Sequence, residues 1–188
     1  MSEQTNAEMI NLLVGFDAMR SFLRAQWEVD GKHSDGLASL LGNLNRDVWR
    51  NGQPADIAQW SDWLDAVLSV RPDLTDVSDA RRQMQKEHER LRQILASNSA
   101  EQRKNLDDFR KDAALHTWHR IGFFPLSTVD AYESMRAFLR AYCKRGGEGP
   151  SDLGELVDYP TEANAQWKNW MHSIEQAKIE VVRSPLVS

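Results

Sequence analysis

The sequence predicts an all-α fold made of two similar three-helix units joined by a central helical hairpin. Apolar residues recur at helical spacing, no segment alternates for long enough to compete as a strand, and part of the sequence occurs twice. Residues 18–25 read AMRSFLRA and residues 134–141 read SMRAFLRA, identical at six of eight positions. A second pair of blocks, QWSDW at 59–63 and QWKNW at 166–170, follows in the same order. This order predicts an internal duplication.

The offset between the two copies changes along the chain. Met19 corresponds to Met135, an offset of 116 residues, whereas Trp63 corresponds to Trp170, an offset of 107 residues. The second copy is therefore nine residues shorter, and we assign the difference to the first copy's loop at 42–54. The predicted division is a first repeat unit over residues 1–72, a hairpin connector over 73–122 and a second repeat unit over 123–188.

Apolar spacing predicts three helices in the first copy. The first runs roughly over residues 6–29, where large apolar side chains recur every three or four residues until an Asp-Gly pair ends the pattern. Ser34 and Asp35 are expected to cap a short second helix, whose apolar residues are Leu37, Leu40, Leu41 and Leu44. The third helix is expected to begin near Asp56, after a turn-rich stretch. Its predicted buried residues are Ile57, Trp60, Trp63, Leu64, Val67 and Leu68.

The second copy repeats this plan, and the connector between the copies has a different pattern. Helices are predicted over 129–144 and 161–179, with a short helix near 153–157 between them. In the connector, the apolar residues over 77–94 fit a heptad pattern among charges of both signs. Together with a helix predicted over 100–120, this segment is expected to form an antiparallel hairpin.

The sequence contains no recognisable catalytic motif. His116 and His119 are three residues apart on a predicted helix, but no H-E-x-x-H motif or nearby cysteine cluster completes a metal site. Cys143, the only cysteine, corresponds to Trp27 in the first copy, which indicates a packing position rather than a nucleophile. We therefore expect a protein that is not an enzyme and uses no metal and no cofactor. An enzyme that uses the two histidines is a distant alternative.

Two sets of residues occur at equivalent positions in both copies. Each set is a candidate either for packing within the fold or for a binding surface. Each copy has a pair of tryptophans three residues apart, embedded in an apolar helical stripe, which favours packing over an interface hot spot. Arg20 and Arg136 lie beside residues that are expected to be buried, and an acidic partner within the same copy would account for both charges. The tryptophans are Trp60, Trp63, Trp167 and Trp170.

Composition narrows the classes of partner. With 188 residues, 41% of them hydrophobic, the chain is long and apolar enough to bury a core. A net charge of −5 disfavours nucleic acid and anionic membrane, which are themselves negative, and favours a basic protein partner. No apolar run approaches the ~18 residues of a membrane-spanning helix, and residues 1–8 lack the features of a signal peptide. We therefore expect a cytoplasmic protein.

Differences between the copies indicate where a partner would bind. Between residues 146 and 165 the second copy has five carboxylates and a tyrosine but no Lys or Arg. The longer loop of the first copy instead has a tryptophan among charged residues and is followed by further acidic residues. For the acidic segment, a merely solvated surface is the alternative to partner contact. The candidate partner-binding residues are Glu148, Asp152, Glu155, Asp158, Tyr159, Trp49 and Asp56.

One set of residues in the first copy forms a pattern typical of a known family. The set comprises Ala18, Met19, Arg20, Phe22, Leu23, Trp27, Ser34, Asp35, Leu37, Leu40, Leu41, Ala55, Asp56, Trp60, Asp62, Trp63 and Leu64. The pattern covers about 55 residues of the first copy and, more weakly, residues 134–170. It resembles the small helical immunity proteins of contact-dependent inhibition and related bacterial polymorphic-toxin systems.

This resemblance implies a protein without enzymatic activity that binds a cognate toxin domain in the cytoplasm and neutralises it. Many toxin domains are nucleases with basic surfaces, which an acidic inhibitor complements. The alternative, from a different class of function, is a helical scaffold or regulatory adaptor that dimerises through the central hairpin.

Overall fold

The fold is described by a computed structural model for residues 7–48, 54–96, 121–146 and 165–183. Within these ranges the chain forms six helices and two short strands, so the predicted all-α class is confirmed. In chain order the elements are β1 (Met9–Asn11), α1 (Leu12–Val29), α2 (Asp35–Leu44), α3 (Ile57–Val70), α4 (Thr75–Ala96), β2 (Pro125–Ser127), α5 (Thr128–Gly146) and α6 (Ala165–Arg183).

The two strands correct the expectation that the chain contains only helices. β1 and β2 pair in an antiparallel ribbon, and the first helix begins at Leu12 rather than near residue 6. Asn11 sets this boundary, because its backbone is extended and its side-chain oxygen accepts a hydrogen bond from Val14 N at 2.8 Å. Asn is among the preferred N-cap residues for this reason. A strand of three residues is too short for an alternating pattern to show in the sequence.

The starts of the next two helices agree with the prediction. Ser34 caps α2 by accepting a hydrogen bond from Leu37 N at 3.2 Å, and Asp56 caps α3 in the same manner through Ala58 N. One expected core residue of α3 lies elsewhere: Ile57 is 38% exposed, because the first helical position points away from the helices that α3 packs against. The other predicted core residues of α3 are buried or partly buried.

The ribbon pairs residues that correspond to one another in the two copies. At its centre Ile10 lies opposite Leu126, its counterpart at the 116-residue offset. On either side, Met9 lies opposite Ser127, and Asn11 lies opposite Pro125. These two pairs are equivalent, because Met9 is the counterpart of Pro125 and Asn11 is the counterpart of Ser127. Two flanking backbone hydrogen bonds are also equivalent. They run from Leu12 N to Phe124 O and from Thr128 N to Glu8 O, each 2.9 Å long.

The long helices of the two copies pack against each other across this ribbon. α1 lies mainly along α6, and α3 lies mainly along α5, so the first helix of each copy packs on the last helix of the other. α1 also crosses α5 beside Gly15 and its counterpart Ala131. A Cβ on Gly15 would lie 3.1 Å from the Trp63 ring and 3.5 Å from the Ala131 Cβ. A side chain at this position would therefore press against the Trp63 ring, whereas its distance to Ala131 would be that of an ordinary contact.

A single hydrophobic core joins the two copies. Its largest fully buried side chains come from α1, α3, α5 and α6, and each copy contributes aromatic rings. These side chains are Trp60, Trp63, Trp170, Tyr132, Phe16, Phe22, Phe138, Leu12, Leu13, Met19 and Leu23. The proposed division of the sequence into two units and a connector stays a prediction.

α4 is the described part of the predicted connector hairpin. It spans Thr75–Ala96, against the predicted 77–94. Val77 is buried, and Ala80 and Met84 pack against the core, so the apolar stripe of the first half of α4 is used within the molecule. The helices predicted over 100–120 and near 153–157 lie outside the described residues. Among the described helices, none has the length and apolar character needed to cross a membrane.

Candidate interaction surface

Of the seven candidate partner-binding residues, the described ranges include only Asp56. The other six lie in two segments outside these ranges. They are Trp49, Glu148, Asp152, Glu155, Asp158 and Tyr159. The partner-binding role of these six residues therefore stays a prediction.

The Asp56 carboxylate has a structural role at the start of α3. One carboxylate oxygen accepts a hydrogen bond from Ala58 N at 3.0 Å, and the other accepts one from Gln59 Nε2 at 3.1 Å. The Asp56 backbone N–H in turn donates to Asn43 O at 3.0 Å. A helix-capping role explains all three bonds without a partner protein.

The same backbone contacts close the base of the longer loop of the first copy. Ala55 N donates to Asn45 O at 2.6 Å, and Asp47 N donates to the Asn45 side chain at 3.1 Å. Arg46 lies between Asn45 and Asp47 in the chain, and its side chain turns inward and is buried. Val48, the last described residue before Trp49, is 55% exposed. The base of the loop is therefore fixed, and its described part ends at an exposed residue.

A buried ion cluster fixes this base to α1. Asp17, only 1% exposed, accepts hydrogen bonds from Arg20 Nη1 at 2.9 Å and from Arg46 Nη1. Burial raises the pKa of the Asp17 carboxyl, and the two neighbouring guanidinium groups oppose that rise. Burial likewise lowers the pKa of Arg46, and Asp17 opposes that change. Such charges are tolerated in a core only when they are paired in this way.

The ion pair between Arg20 and Asp17 has a counterpart in the second copy, as the sequence predicted. Arg136 Nη1 lies 3.0 Å from an oxygen of Glu133, again three residues earlier on the helix. The pairing of Arg20 and Arg136 with acids of their own copies is therefore confirmed. Arg46 adds a second arginine to the pair in the first copy. It belongs to the loop at 42–54, to which we assign the nine residues that the second copy lacks.

The exposed acids that follow Asp56 on α3 are also engaged within the molecule. Asp62 forms a two-pronged pair with Arg145 of α5, at 2.8 and 2.6 Å. Asp65 forms a similar pair with Arg81 of α4, at 2.7 and 2.8 Å. These carboxylates are largely neutralised by arginine, so they contribute little excess negative charge to this face.

The tryptophan pairs belong to the core, with one difference between the copies. Trp60, Trp63 and Trp170 are fully buried, which confirms the packing role predicted for them. Trp167, the counterpart of Trp60, is only partly buried and lies at the edge of the core. Its ring packs at a right angle against Tyr132, with the ring centroids 5.5 Å apart.

Most residues that carry the family resemblance are accounted for by folding. Apart from Ala55, the apolar ones are buried or pack against the core. Among the polar ones, Arg20 pairs with Asp17, Ser34 and Asp56 cap helices, and Asp62 pairs with Arg145. These residues of the pattern therefore have structural roles in the fold.

The metal-binding potential of the described side chains and the environment of Cys143 were the remaining features of chemical interest in the sequence. No group of three or more His, Cys, Asp or Glu residues within the described ranges is placed to hold a metal ion. Cys143 is partly buried against the core, like its counterpart Trp27. Burial raises the pKa of the Cys143 thiol, which keeps it protonated and poorly nucleophilic. Comparisons with protein-family models, curated proteins and solved structures found no match to the chain.

Proposed function

We propose that this chain is an immunity-type protein that binds a cognate toxin domain in the cytoplasm and neutralises it without catalysis. The distribution of charge is the observation that carries the proposal. The chain has 28 acidic and 23 basic residues, and five of the acids lie between residues 146 and 165, where there is no Lys or Arg. Acids and bases are therefore equal in number in the rest of the chain, and the net charge of −5 comes from this one acidic segment.

A basic protein surface is the partner that such a segment fits best. Five carboxylates close together in sequence repel one another in the free protein, so an opposing basic surface relieves this repulsion and adds its own attraction. Complementary charge of this kind accelerates encounter, up to roughly 10⁸ to 10⁹ per molar per second at low salt.

The described surface supports giving this role to the acidic segment. The acids of α3 are paired with arginines, and Asp56 is engaged as a helix cap. The resemblance to immunity proteins supports the choice of a toxin domain as the basic partner. The alternative scaffold would dimerise through the connector hairpin, but Val77 and its neighbours on α4 already pack within the molecule.

The proposal is tested by partner capture followed by association kinetics. The full chain is immobilised and exposed to lysate of the source organism, and captured proteins are identified by mass spectrometry. A toxin domain whose activity falls in the presence of the chain is the expected result. An unrelated protein, or a toxin whose activity is unaffected, contradicts the proposal.

Neutral variants then locate the contact. The test variant carries Glu148→Gln, Asp152→Asn, Glu155→Gln and Asp158→Asn, and the matched control carries Glu28→Gln, Asp35→Asn, Glu89→Gln and Glu180→Gln. The association rate with the captured toxin should fall for the test variant, and its dependence on salt should flatten, because screening acts mainly on encounter. Equal losses in both variants would show that net charge alone matters and would remove the acidic segment from the interface.

A further inference from the structure

Part of the contact between the two copies is formed by residues that correspond to one another. The ribbon is centred on a pair of corresponding residues, Ile10 and Leu126, and the hydrogen bonds that flank it are reciprocal. The α1 and α5 helices cross beside Gly15 and Ala131, which also correspond. A contact in which the same surface occurs on both sides is the isologous type found in two-fold symmetric dimers.

Both copies also form the same internal contacts with their tryptophans. Trp63 Nε1 donates to Leu12 O at 3.3 Å, and Trp170 Nε1 donates to Thr128 O at 3.1 Å. The donor and acceptor positions correspond at the offsets of 107 and 116 residues. Each half therefore holds its own aromatic contact but relies on the other half for the helix that covers it.

Three ion pairs at the edge of the core connect the two halves. Each has one partner in the first copy and one in the second. The pairs are Arg71 with Asp130, Asp62 with Arg145, and Glu8 with Lys178. Together with the ribbon and the helix contacts, they make the boundary between the copies an extensive and complementary interface.

We infer that this interface also accepts the complementary half of a second molecule of the chain. In the resulting dimer, the first copy of one molecule packs with the second copy of the other, and the reverse pairing completes the assembly. Every contact between halves is retained in such an exchanged dimer, because both halves are unchanged. The inference is independent of the proposed toxin partner.

Concentration decides which form is populated. Within one chain the connector holds the halves at an effective concentration on the order of millimolar, so the monomer is favoured in dilute solution. The exchanged dimer should form when the chain refolds at high protein concentration, because halves of different molecules then compete with the halves of one molecule. Once formed it should dissociate slowly, since the core must open for the halves to separate.

Charge-reversed chains test the exchange directly. One chain carries Glu8→Lys and Asp62→Arg in its first half, and the other carries Arg145→Asp and Lys178→Glu in its second half. Each chain alone places like charges opposite each other across the interface. In an exchanged heterodimer, the two altered halves pack together and restore both ion pairs with reversed sign. The two unaltered halves pack together as in the parent protein.

The two chains are refolded separately and as an equimolar mixture, and mass is measured by light scattering and native mass spectrometry. The mixture should yield a heterodimer in an amount several times that of the dimer formed by the parent at the same concentration. Each chain alone should form no more dimer than the parent, because the like charges oppose each other in its monomer and in its exchanged homodimer alike. A mixture that contains only the two monomers overturns the inference.

A second measurement applies even if the charge-reversed chains fold poorly. The parent protein is prepared with and without uniform ¹⁵N labelling, and the two samples are refolded together from denaturant over a range of concentrations. Dimers of mixed mass that increase with concentration after joint refolding, but do not form when the two samples are mixed already folded, support exchange, because an exchanged dimer separates only when the core opens. A protein that stays monomeric up to about millimolar concentration, where intermolecular pairing should compete with the connector, overturns it.

Discussion

At the scale of single residues, the indole N–H groups of the core illustrate how the large tryptophans are accommodated. Trp63 and Trp170 each donate to a backbone carbonyl at the start of a long helix, at 3.3 and 3.1 Å. A buried indole needs such an acceptor, because its N–H would otherwise lose its bond to water without replacement. The carbonyls belong to Leu12 and Thr128, the first residues of α1 and α5.

Substitution of Trp60 should be more damaging than substitution of its counterpart Trp167. Trp60 is fully buried, whereas Trp167 lies at the edge of the core. Trp60→Ala should lower the free energy of unfolding by about 3–5 kcal/mol, through lost transfer energy and the cavity that remains. Trp167→Ala should cost clearly less. Urea denaturation of the two variants beside the parent measures both values, and equal losses would show that the two sites are packed alike.

Phe16→Tyr should stabilise the protein. In the second copy, the Tyr132 hydroxyl donates to Gln166 Oε1 at 3.4 Å, and the corresponding residues of the first copy are Phe16 and Gln59. Gln59 is buried, and its Oε1 has no hydrogen-bond partner within the described part of the chain. A hydroxyl on Phe16 would supply the missing donor, with an expected gain of about 0.5–1.5 kcal/mol in the free energy of unfolding.

Tyr132→Phe is the matched control for this substitution. It should lower stability, though by less, because Gln166 is partly exposed and its oxygen can turn to water. Denaturation curves of both variants give the comparison. A destabilised Phe16→Tyr protein would mean that the first copy has no room for the hydroxyl.

At the scale of secondary structure, the helices were predictable and the ribbon was not. The cap residues Ser34 and Asp56 place the starts of α2 and α3 correctly, whereas α1 begins about six residues later than its apolar spacing predicts. The ribbon strands contain three residues each, too few for an alternating pattern. The buried position of Arg46 was also missed. Its partner Asp17 is 29 residues away, and a charged loop residue gives no local sign that it turns inward.

The candidate site was predictable only as a distribution of charge. The composition of residues 146–165 identifies a segment that favours a basic partner, but composition does not give the positions of its side chains. Asp56 shows why acidic residues alone are a weak indicator. Its sequence position suggested partner contact, while its two carboxylate oxygens bond within α3.

Two substitutions of Asp56 separate a capping role from a binding role. Asp56→Ala removes the cap and should lower the free energy of unfolding by about 0.5–2 kcal/mol, whereas Asp56→Ser retains a capping oxygen and should change it little. Since Ser removes the negative charge, the affinity of the Asp56→Ser variant for the captured partner tests the binding role separately. We expect the Ser variant to bind like the parent. A Ser variant of parental stability with weakened binding would return Asp56 to the interface.

At the scale of the whole molecule, the arrangement of the copies makes them dependent on each other. Apolar periodicity indicates which side of a helix is buried but not which helix covers it. The packing of α1 on α6 and of α3 on α5 therefore could not be predicted from the sequence. Because each long helix of one copy is covered by a helix of the other, neither copy can lose its structure without exposing the core of both.

This dependence predicts that the two copies unfold as one cooperative unit. Trp170→Ala removes a fully buried ring of α6 that packs edge-on against Phe22 of α1, with the ring centroids 6.2 Å apart. Amide hydrogen exchange should therefore accelerate in α1 as well as in α6, and by similar factors, because the slowest exchange in both helices occurs through the same opening of the core. Thermal unfolding should remain a single transition at a lower temperature.

Ile57→Ala is the matched control, since this side chain is partly exposed at the start of α3 and should leave exchange in α1 nearly unchanged. If Trp170→Ala accelerated exchange in α5 and α6 while α1 and α3 kept the parental rates, the two copies would be separate folding units.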